Sequence, residues 1–363
     1  MANELVNYAP PGPLNVFVPG YSKKRQAALI QAFVLSQDDF KINKWHTVTP
    51  VDEMAGVWPK FNTADMFRLT DTSGNAYEWP DGKPVNLYEA DANVHKSRRT
   101  NVRWDLKRYM LKDSLGKMTI KQSPIDEVAR VQNELAMKLM LLRSTKLVNL
   151  ATTSSNWTAG SFGTTAAAGW PGAWGSGSIS DNRVAKTFTK VVATIKKRSG
   201  GKVNASMLKF VISPDTAVYM SGLAEIRQYL AQQSGSLGVL KGDNPGIGEY
   251  LLPNPLYGVE VEIDDTISVT AQPTVDLDTI NFLFPVNVGL FVAKPGAVSV
   301  PWGGPGFSTF HAFTLSDGAM KPVTQDLGEA SDAVHIQISD AYQFQLVSDE
   351  TGFLLTSLDA SWT

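Results

Sequence analysis

The sequence predicts an α+β protein in which helices and strands occupy different stretches of the chain. Apolar residues recur at helical spacing over residues 124–150 and again from about residue 180 onward. Short alternating runs of apolar and polar residues, separated by turn residues, occur over residues 60–120 and from residue 302 onward. Together these patterns indicate a fold with one long helix, a second helix and several groups of short strands.

Composition limits the classes of protein that the chain can belong to. Its 363 residues are 43% apolar, which is ample for two or three domain cores. The 33 basic and 35 acidic residues nearly cancel, so no overall charge excess indicates a nucleic-acid binder. Cysteine is absent, which excludes disulfides and thiol catalysis. The N-terminus lacks a signal-peptide pattern and no apolar run approaches 18 residues, so we expect a cytosolic protein without a membrane span.

The first 120 residues contain two segments that cannot form a core of their own. Residues 1–25 are rich in Pro, Gly and Asn and predict an extended arm. Residues 60–120 predict a long β-hairpin with Lys83 near one turn. The returning half of this hairpin carries a basic cluster, His95, Lys96, Arg98 and Arg99. Because a two-stranded ribbon alone is marginally stable in water, we expect it to lie across another subunit or domain.

A helix of roughly 40 Å is predicted over residues 124–150, from its length at 1.5 Å per residue. Ser123 is the expected N-cap, with Pro124 at the first helical position and Asp126 at the third. The apolar positions that recur are Val128, Val131, Leu135, Leu139 and Leu142. The basic residues on the same helix are Arg130, Lys138, Arg143 and Lys146, for which a solvated face is the expected environment.

An uncharged segment follows this helix. Residues 147–180 contain no charged side chain but include Trp157, Trp170 and Trp174. A segment of this composition is either flexible and adhesive or buried by something else. Its tryptophans are therefore candidates for contacts between subunits.

The remainder of the chain alternates helix and strand signals before ending in strands. The second helix is expected to bury one apolar face and to end in basic residues followed by Gly200 and Gly201, as the helix dipole favours. Residues 208–214 predict a buried strand, residues 215–233 one or two helices, and residues 234–250 a mobile loop.

No arrangement of residues in the sequence indicates catalysis or metal binding. Four histidines, His46, His95, His311 and His335, are scattered singly without metal-ligand spacing. No nucleophile elbow and no phosphate-binding glycine loop is present. The adjacent Asp264 and Asp265 lie at a predicted strand end, where aspartate is favoured for backbone reasons. We therefore expect no enzyme activity, no cofactor and no metal site. An arm, a thin ribbon, a long helix and an uncharged aromatic loop together indicate a subunit that is completed by its neighbours.

The order of these elements resembles the Hong Kong 97 fold of tailed-bacteriophage major capsid proteins. The resemblance rests on "LKRYMLKD" with the helix that follows (residues 106–157), on "NASMLKFVISPDTAVYMSGLAEIRQYL" (204–230) and on "LLPNPLYGVEVEIDDT" (251–266). The ordered set covers roughly residues 55–363, although no single motif is diagnostic. The implied divisions are an N-terminal arm and the start of the peripheral (P) domain (1–59), the E-loop hairpin (60–120), the P domain with its spine helix (121–202), the axial (A) domain (203–300) and closing P-domain strands (301–363).

The resemblance implies a shell subunit that forms hexamers and pentamers around a double-stranded DNA genome in a virion, after synthesis in the host cytoplasm. The loop at 234–250 would line the ring centre, and the E-loop would overlap the adjacent subunit. Expected partners are further copies of the chain, a portal, a separate scaffold protein and a decoration protein. The expected intersubunit contacts are Trp157, Trp170, Trp174, Lys83, Arg98 and Arg99.

Two departures from the resembling proteins shape these expectations. In some members a covalent lysine–asparagine bond cross-links the subunits of the shell. Lys83 and Lys96 are the candidate lysines here. No asparagine follows Asn287, so we expect no such cross-link. Some members also carry an N-terminal scaffolding segment of about a hundred residues that a protease removes. The ribbon here already begins near residue 60, so we expect a separate scaffold protein.

DNA contacts and two alternative functions complete the expectations. Weak phosphate contacts are expected from Lys23, Lys24 and Arg25 and from the basic side of the long helix. One alternative is an encapsulin nanocompartment shell, which has the same fold and encloses an enzyme. The other is a carbohydrate-binding or hydrolytic β-rich protein in which the three tryptophans of the uncharged segment stack on sugar rings.

Overall fold

The computed structural model describes residues 40–61, 99–123, 126–176, 178–233, 246–247, 249–269, 280–296, 308–316, 321–326 and 332–359. Its α-helices are α1 (Lys117–Gln122), α2 (Glu127–Thr152), α3 (Arg183–Arg198), α4 (Pro214–Gly222) and α5 (Ala224–Gln233). Its strands are β1 (Thr47–Val51), β2 (Ala55–Phe61), β3 (Arg99–Asp105), β4 (Lys107–Gly116), β5 (Phe162–Thr164), β6 (Leu208–Ile212), β7 (Gly246–Ile247), β8 (Pro253–Asn254), β9 (Glu260–Ile263), β10 (Ile267–Val269), β11 (Ile280–Phe282), β12 (Val288–Ala293), β13 (Phe310–Leu315), β14 (Lys321–Asp326), β15 (Ala333–Leu346) and β16 (Phe353–Thr356). The predicted α+β class is confirmed.

The first of two five-stranded sheets is built around β15. Strand β4 pairs antiparallel along one edge of β15, and β13 and β14 pair antiparallel along the other. Strand β1 adds to β13 in parallel. The sequence has two alternating runs here, at 333–339 and 342–348, but β15 continues from one into the other as a single strand of 14 residues. The chain stays extended between the runs, where Asp340 is fully buried rather than placed in a turn.

The second sheet has the strand order β5-β16-β12-β6-β9. Strand β6 is parallel to β9, and β5 is parallel to β16, whereas the other pairs are antiparallel. Every residue of β6 is buried, because α3 covers one face of the sheet and α2 lies against the other. A strand that is covered on both faces has a continuous apolar run instead of an alternating pattern.

The long helix α2 belongs to two apolar cores. Its first half places Val131, Leu135 and Leu139 against Ile336 and Ile338 of the first sheet. Its second half contacts residues of both sheets; the buried helix residues there are Met140, Leu147, Val148 and Ala151. At 26 residues the helix is about 39 Å long, as the sequence predicts. The helix therefore packs against both sheets and joins their cores.

The start of α2 differs from the prediction. Asp126, not Ser123, is the N-cap: its carboxylate accepts hydrogen bonds from the backbone N–H groups of Val128 and Ala129, at 3.1 Å each. The Ser123 hydroxyl instead donates to the carboxylate of Glu127 at 2.8 Å. Aspartate and serine are equally good caps, so sequence alone does not distinguish the two registers.

Helix α3 follows the prediction closely. Its buried positions are Val184, Thr187, Phe188, Val191 and Ile195. The chain leaves the helix through Gly200 and Gly201, at φ values of 62° and 79°. These values lie in the left-handed region that glycine adopts without steric cost. Residues 214–233 form two helices, α4 and α5, separated at Leu223.

The predicted ribbon is described only at its base. Strands β2 and β3 pair antiparallel from Ala55 opposite Asp105 to Phe61 opposite Arg99. Residues 62–98, which include Lys83, Lys96 and Arg98, lie outside the described residues. Strand β4, which the sequence places in the ribbon, pairs with β15 in the first sheet.

Candidate assembly surfaces

The uncharged segment between α2 and α3 is bound to the C-terminal strand of its own chain. Strand β5 lies parallel to β16, and the backbone N–H of Leu354 donates to the carbonyl of Ser161 at 2.9 Å. Further along, the N–H of Trp174 donates to the carbonyl of Leu358 at 2.8 Å. Backbone hydrogen bonds at several points hold the segment in one conformation. It is therefore an ordered part of the subunit and not a flexible loop.

Two arginines of α3 hold the two ends of this segment. Near the start, the Arg198 guanidinium donates to the Thr158 hydroxyl at 3.0 Å and contacts the Asp349 carboxylate at 3.3 Å. Near the end, the Arg183 guanidinium donates to the carbonyl of Ala173 at 3.1 Å. The segment therefore lies along α3, with one arginine of that helix bound near each of its ends.

Two of the three tryptophans in this segment are core residues. Trp157 is 4% exposed, donates its indole N–H to the Ala151 carbonyl at 2.8 Å and meets Phe310 edge-on. Trp174 is 5% exposed, and its indole N–H donates to the Thr187 hydroxyl at 3.3 Å. Their own subunit covers both rings, which corrects the prediction that these two residues contact a neighbouring subunit.

Trp170 differs from the other two tryptophans because it stays half-exposed. One side of its ring lies against Phe353, with 5.5 Å between centroids. The Lys190 ammonium lies 4.2 Å from the centroid of the same ring. Trp157 and Trp174 belong to separate apolar cores, so the three rings do not form the common aromatic face that the carbohydrate-binding alternative requires.

The other predicted contact residues fall in the ribbon. Lys83 and Arg98 lie outside the described residues, and Arg99 is placed by its backbone, which pairs with Phe61. The base of the ribbon is fixed to the first sheet, because the ring of Trp104 stacks on that of Phe313. The ring centroids are 5.1 Å apart and the ring planes differ by 13°. The ribbon therefore begins from a rigid base.

The basic residues of α2 are each matched by a partner. Arg130 contacts the carboxylates of Glu127 at 2.7 Å and Glu134 at 3.2 Å, and Lys138 contacts Glu134 at 2.7 Å. Further along the helix, Arg143 pairs with buried Asp340, and the Lys146 ammonium lies 5.5 Å from the centroid of the Tyr109 ring. Three of the four basic residues of the helix are thus paired with carboxylates, although the sequence places phosphate contacts on this helix.

Part of one face of the first sheet, where β4, β15 and β14 lie side by side, is open among the described residues. Side chains alternate between the two faces of a strand, and α2 covers the face that carries Ile336 and Ile338. On the opposite face Met110 is 55% exposed and Val323 is 57% exposed. They flank Gln337, whose amide contacts the Met110 sulfur at 3.4 Å. We call Met110, Val323 and Gln337 the open-sheet patch.

A second apolar group lies beside α4. Val218 on that helix is 56% exposed, and Leu251 is 68% exposed. Tyr250 and Leu251 both have left-handed backbones, at φ values of 57° and 59°. Such conformations are costly for residues with large side chains and concentrate at functional positions. We call Val218, Tyr250 and Leu251 the α4 patch.

The buried ionisable groups of the subunit have pKa values that burial and local packing explain. Burial lowers the pKa of His46 and of His311 to about 4, so both are neutral at physiological pH. Asp264 is buried, which raises its pKa, and its carboxylate accepts the N–H of Thr266 at 3.1 Å in a local turn. Among the described residues, no group of three or more His, Asp or Glu side chains is placed to hold a metal ion.

None of the helices in the described part of the chain combines the length and apolarity needed to cross a bilayer.

Comparison with known proteins identifies the fold. No protein-family profile and no curated protein sequence matches the chain. A phage-related protein from Bordetella bronchiseptica RB50 superposes with a TM-score of 0.57 at 14% identity, covering 89% of this chain and 94% of the other. The capsid structure of cyanophage P-SCSP1u gives 0.52 at 11% identity, covering 87% of each chain. The mature capsid of bacteriophage PhiM1 gives 0.52 at 11% identity, covering 86% and 85%.

These likenesses extend over at least 85% of each chain. At these identities they establish the fold alone. The fold predicted from the sequence is thus confirmed: the chain has the Hong Kong 97-type fold of phage capsid proteins.

Proposed function

We propose that the chain is the major capsid protein of a tailed phage, a structural subunit that assembles into hexamers and pentamers of an icosahedral shell around double-stranded DNA. The observation that carries this proposal is the fold, which is shared with the capsid proteins of two phages over at least 85% of each chain. Fold alone does not determine function. The proposal therefore also rests on surfaces that the isolated subunit leaves uncovered.

The open-sheet patch and the ribbon are complementary in this proposal. The ribbon, which begins from the paired strands β2 and β3 and does not include β4, would lie on the open sheet face of the adjacent subunit. Met110 and Val323 would be covered there, as expected for apolar side chains that a monomer leaves more than half exposed. The proposed contacts that remain from the sequence are Trp170, Lys83, Arg98 and Arg99.

The α4 patch supports the second contact of a ring. Residues 203–300 would form the A domain, and residues 121–202 and 301–363 the P domain. Leu251 follows the loop at 234–250, which would line the ring centre. Head-to-tail contacts of this kind close into rings without leaving an unpaired surface.

The remaining partners follow from the same role. The chain would be made in the host cytoplasm and reside in the virion. Further copies of itself are the principal partner, with a portal, a separate scaffold protein and a decoration protein as additional ones. Packaged DNA would be held by weak, non-specific contacts.

Electron microscopy of the purified full chain, with and without the co-expressed scaffold protein, tests the proposal. We expect icosahedral shells built from hexamers and pentamers. A protein that stays monomeric under both conditions would refute the proposed function. The encapsulin alternative is distinguished by the contents, because particles from the natural host would then hold a protein cargo instead of DNA.

A paired substitution tests the open-sheet patch. Met110→Glu combined with Val323→Glu places two charges on the face proposed to receive the ribbon, and we expect shells to disappear while circular dichroism stays unchanged. Met118→Glu is the matched control, because Met118 on α1 is 56% exposed and lies outside the patch. Normal shells from the double variant would exclude this face as a contact.

A further inference from the structure

Positive charge is concentrated in one short part of the chain. Residues 182–214 contain eight basic residues and no acidic residue, in a protein whose formal net charge is −2. Six of the eight lie on α3. We infer that the exposed lysines of α3 form a binding site for the phosphate backbone of double-stranded DNA. This inference rests on the proposed function, because a capsid subunit encloses such a duplex.

The lysines share one face of the helix. The apolar side of α3, from Val184 to Ile195, is buried against the second sheet. Lys186, Lys190 and Lys197 are four and seven residues apart, a spacing that aligns them on the opposite face. At 1.5 Å per residue this stripe is about 16 Å long. We call Lys186, Lys190, Lys196 and Lys197 the lysine stripe.

Most of the stripe lacks counter-ions in the subunit. Among the described residues, Lys186, Lys196 and Lys197 are exposed and form no ion pair. The two arginines of α3 are engaged with the uncharged segment and with acidic partners. The neighbouring segment at 147–180 contributes no carboxylate. The positive field of the stripe is therefore open to an external anion, unlike that of α2.

Lys190 is oriented by its surroundings. Its ammonium lies over the half-exposed ring of Trp170 and donates to the carbonyl of Gly169. A lysine held in this way loses less conformational entropy when it contacts a phosphate than a free lysine does.

Helix stability accounts for only part of the stripe. Lys196 and Lys197 lie at the C-terminal end, where the helix dipole favours positive charge. Lys186, however, lies in the first turn of α3, where the same dipole disfavours it. A lysine at that end is consistent with selection for an external contact.

The residues between the lysines favour phosphate over a protein partner. Thr189 and Ala193, both exposed, are the side chains that separate them on this face. Neither is a large apolar anchor, and lysine is depleted in the cores of protein–protein interfaces. Exposed lysines with small neighbours instead match backbone contacts, which position a protein on DNA without reading its sequence.

The test measures binding of the purified full chain to a fluorescent duplex of about 30 base pairs between about 50 and 200 mM salt. The variant is Lys186→Gln with Lys196→Gln and Lys197→Gln. The matched control is Lys107→Gln with Lys112→Gln and Lys121→Gln, three exposed lysines elsewhere in the chain. We expect the stripe variant to bind at least about tenfold more weakly at 0.1 M salt, with a slope of log K against log salt reduced by about 2.7.

Two results would overturn the inference. One is a stripe variant whose affinity and salt slope equal those of the wild type or of the control. The other is equal competition by unlabelled duplex and by a poly-glutamate peptide of the same charge, which would indicate an acidic protein as partner. Stronger competition by the duplex supports the inference.

Electron microscopy of the same proteins separates this inference from the proposed function. We expect the stripe variant to form shells as the wild type does. If the wild type forms no shells, the proposed function fails whatever the DNA measurements show. If the wild type assembles and the stripe variant binds DNA normally, only the inference fails.

Discussion

The guanidinium of Arg143 on α2 lies 2.8 Å from the carboxylate of Asp340 on β15. Asp340 has no solvent exposure, and the same guanidinium lies over the ring of Tyr342 at 4.8 Å. The pair therefore joins the long helix to the central strand of the first sheet inside the core. A buried charge of this kind is tolerated only while its partner is present.

Removal of the arginine alone is expected to be severe. Arg143→Leu removes the guanidinium that pairs with the buried Asp340 carboxylate, so we expect the free energy of unfolding to fall by about 3–5 kcal/mol. Urea denaturation of the dissociated subunit measures this loss. Lys138→Leu, which breaks an exposed ion pair on the same helix, should cost less than about 1 kcal/mol.

The double variant Arg143→Leu with Asp340→Leu makes this prediction specific. It removes both charges, and we expect it to be more stable than Arg143→Leu alone. Equal stability of the two variants would mean that the cost comes from lost packing and not from loss of the ion pair.

Substitutions of the tryptophans in the uncharged segment should differ in how much stability they cost. Trp174 is buried among Phe188, Phe210 and the second sheet, so Trp174→Ala is expected to cost about 3–5 kcal/mol. Trp170→Ala should cost less, because that ring is half-exposed. Chemical denaturation followed by circular dichroism compares them, with Trp174→Phe as a control that retains most of the buried area. A larger loss for Trp170→Ala than for Trp174→Ala would contradict the burial described above.

Glu225 caps a helix from a distance. Its carboxylate accepts hydrogen bonds from the backbone N–H groups of Val184 at 3.0 Å and Ala185 at 2.8 Å, in the first turn of α3. Glu225→Ala leaves those donors unsatisfied, and we expect a loss of about 1–3 kcal/mol in urea denaturation. Glu53→Ala, at an exposed carboxylate, should stay within about 0.5 kcal/mol of the wild type. A similar loss from both would remove the capping role.

Stability should decrease in mild acid because of two buried histidines. The pKa of His46 and of His311 is lowered to about 4, mainly by burial, and at His46 the charge of Arg143 contributes to this shift. In the unfolded chain both return to about 6.5. Between these values the unfolded state binds protons that the folded state does not, so the free energy of unfolding falls as the pH falls from about 6.5 to 4, by about 3 kcal/mol per histidine.

Urea denaturation between about pH 7.5 and pH 4.5 measures this dependence. His46→Gln with His311→Gln should show a shallower slope in this window, whatever its stability at neutral pH. A double variant with the wild-type slope would show that other groups cause the acid sensitivity.

Elements with strong local patterns were predictable from the sequence. The 3.6-residue repeat of α2 and α3 identifies their buried faces, because one helix face meets one core. The N-cap of α2 was misplaced by three residues, since serine and aspartate cap helices equally well. The carboxylate of Glu225 at the start of α3 was missed because it lies about forty residues away in sequence.

The tryptophan segment shows where sequence reasoning about the site reaches its limit. Missing charges indicate burial but do not indicate which surface covers the segment. Trp157 and Trp174 are covered by their own chain, so they are core residues and not intersubunit contacts. The lysines of α3, by contrast, carried a signal in the sequence, since no acidic residue occurs over residues 182–214.

By itself the sequence determined the α+β class, the two principal helices and the resemblance of their order to a capsid fold, because these depend on local periodicity and element order. Only the tertiary structure decided which charges are free. Arg143 and Lys197 are both helical basic residues, but Arg143 faces a buried carboxylate on another strand, whereas Lys197 faces solvent. Pairing between residues distant in the chain is set by packing, and packing decides which surfaces remain for a neighbouring subunit or a genome.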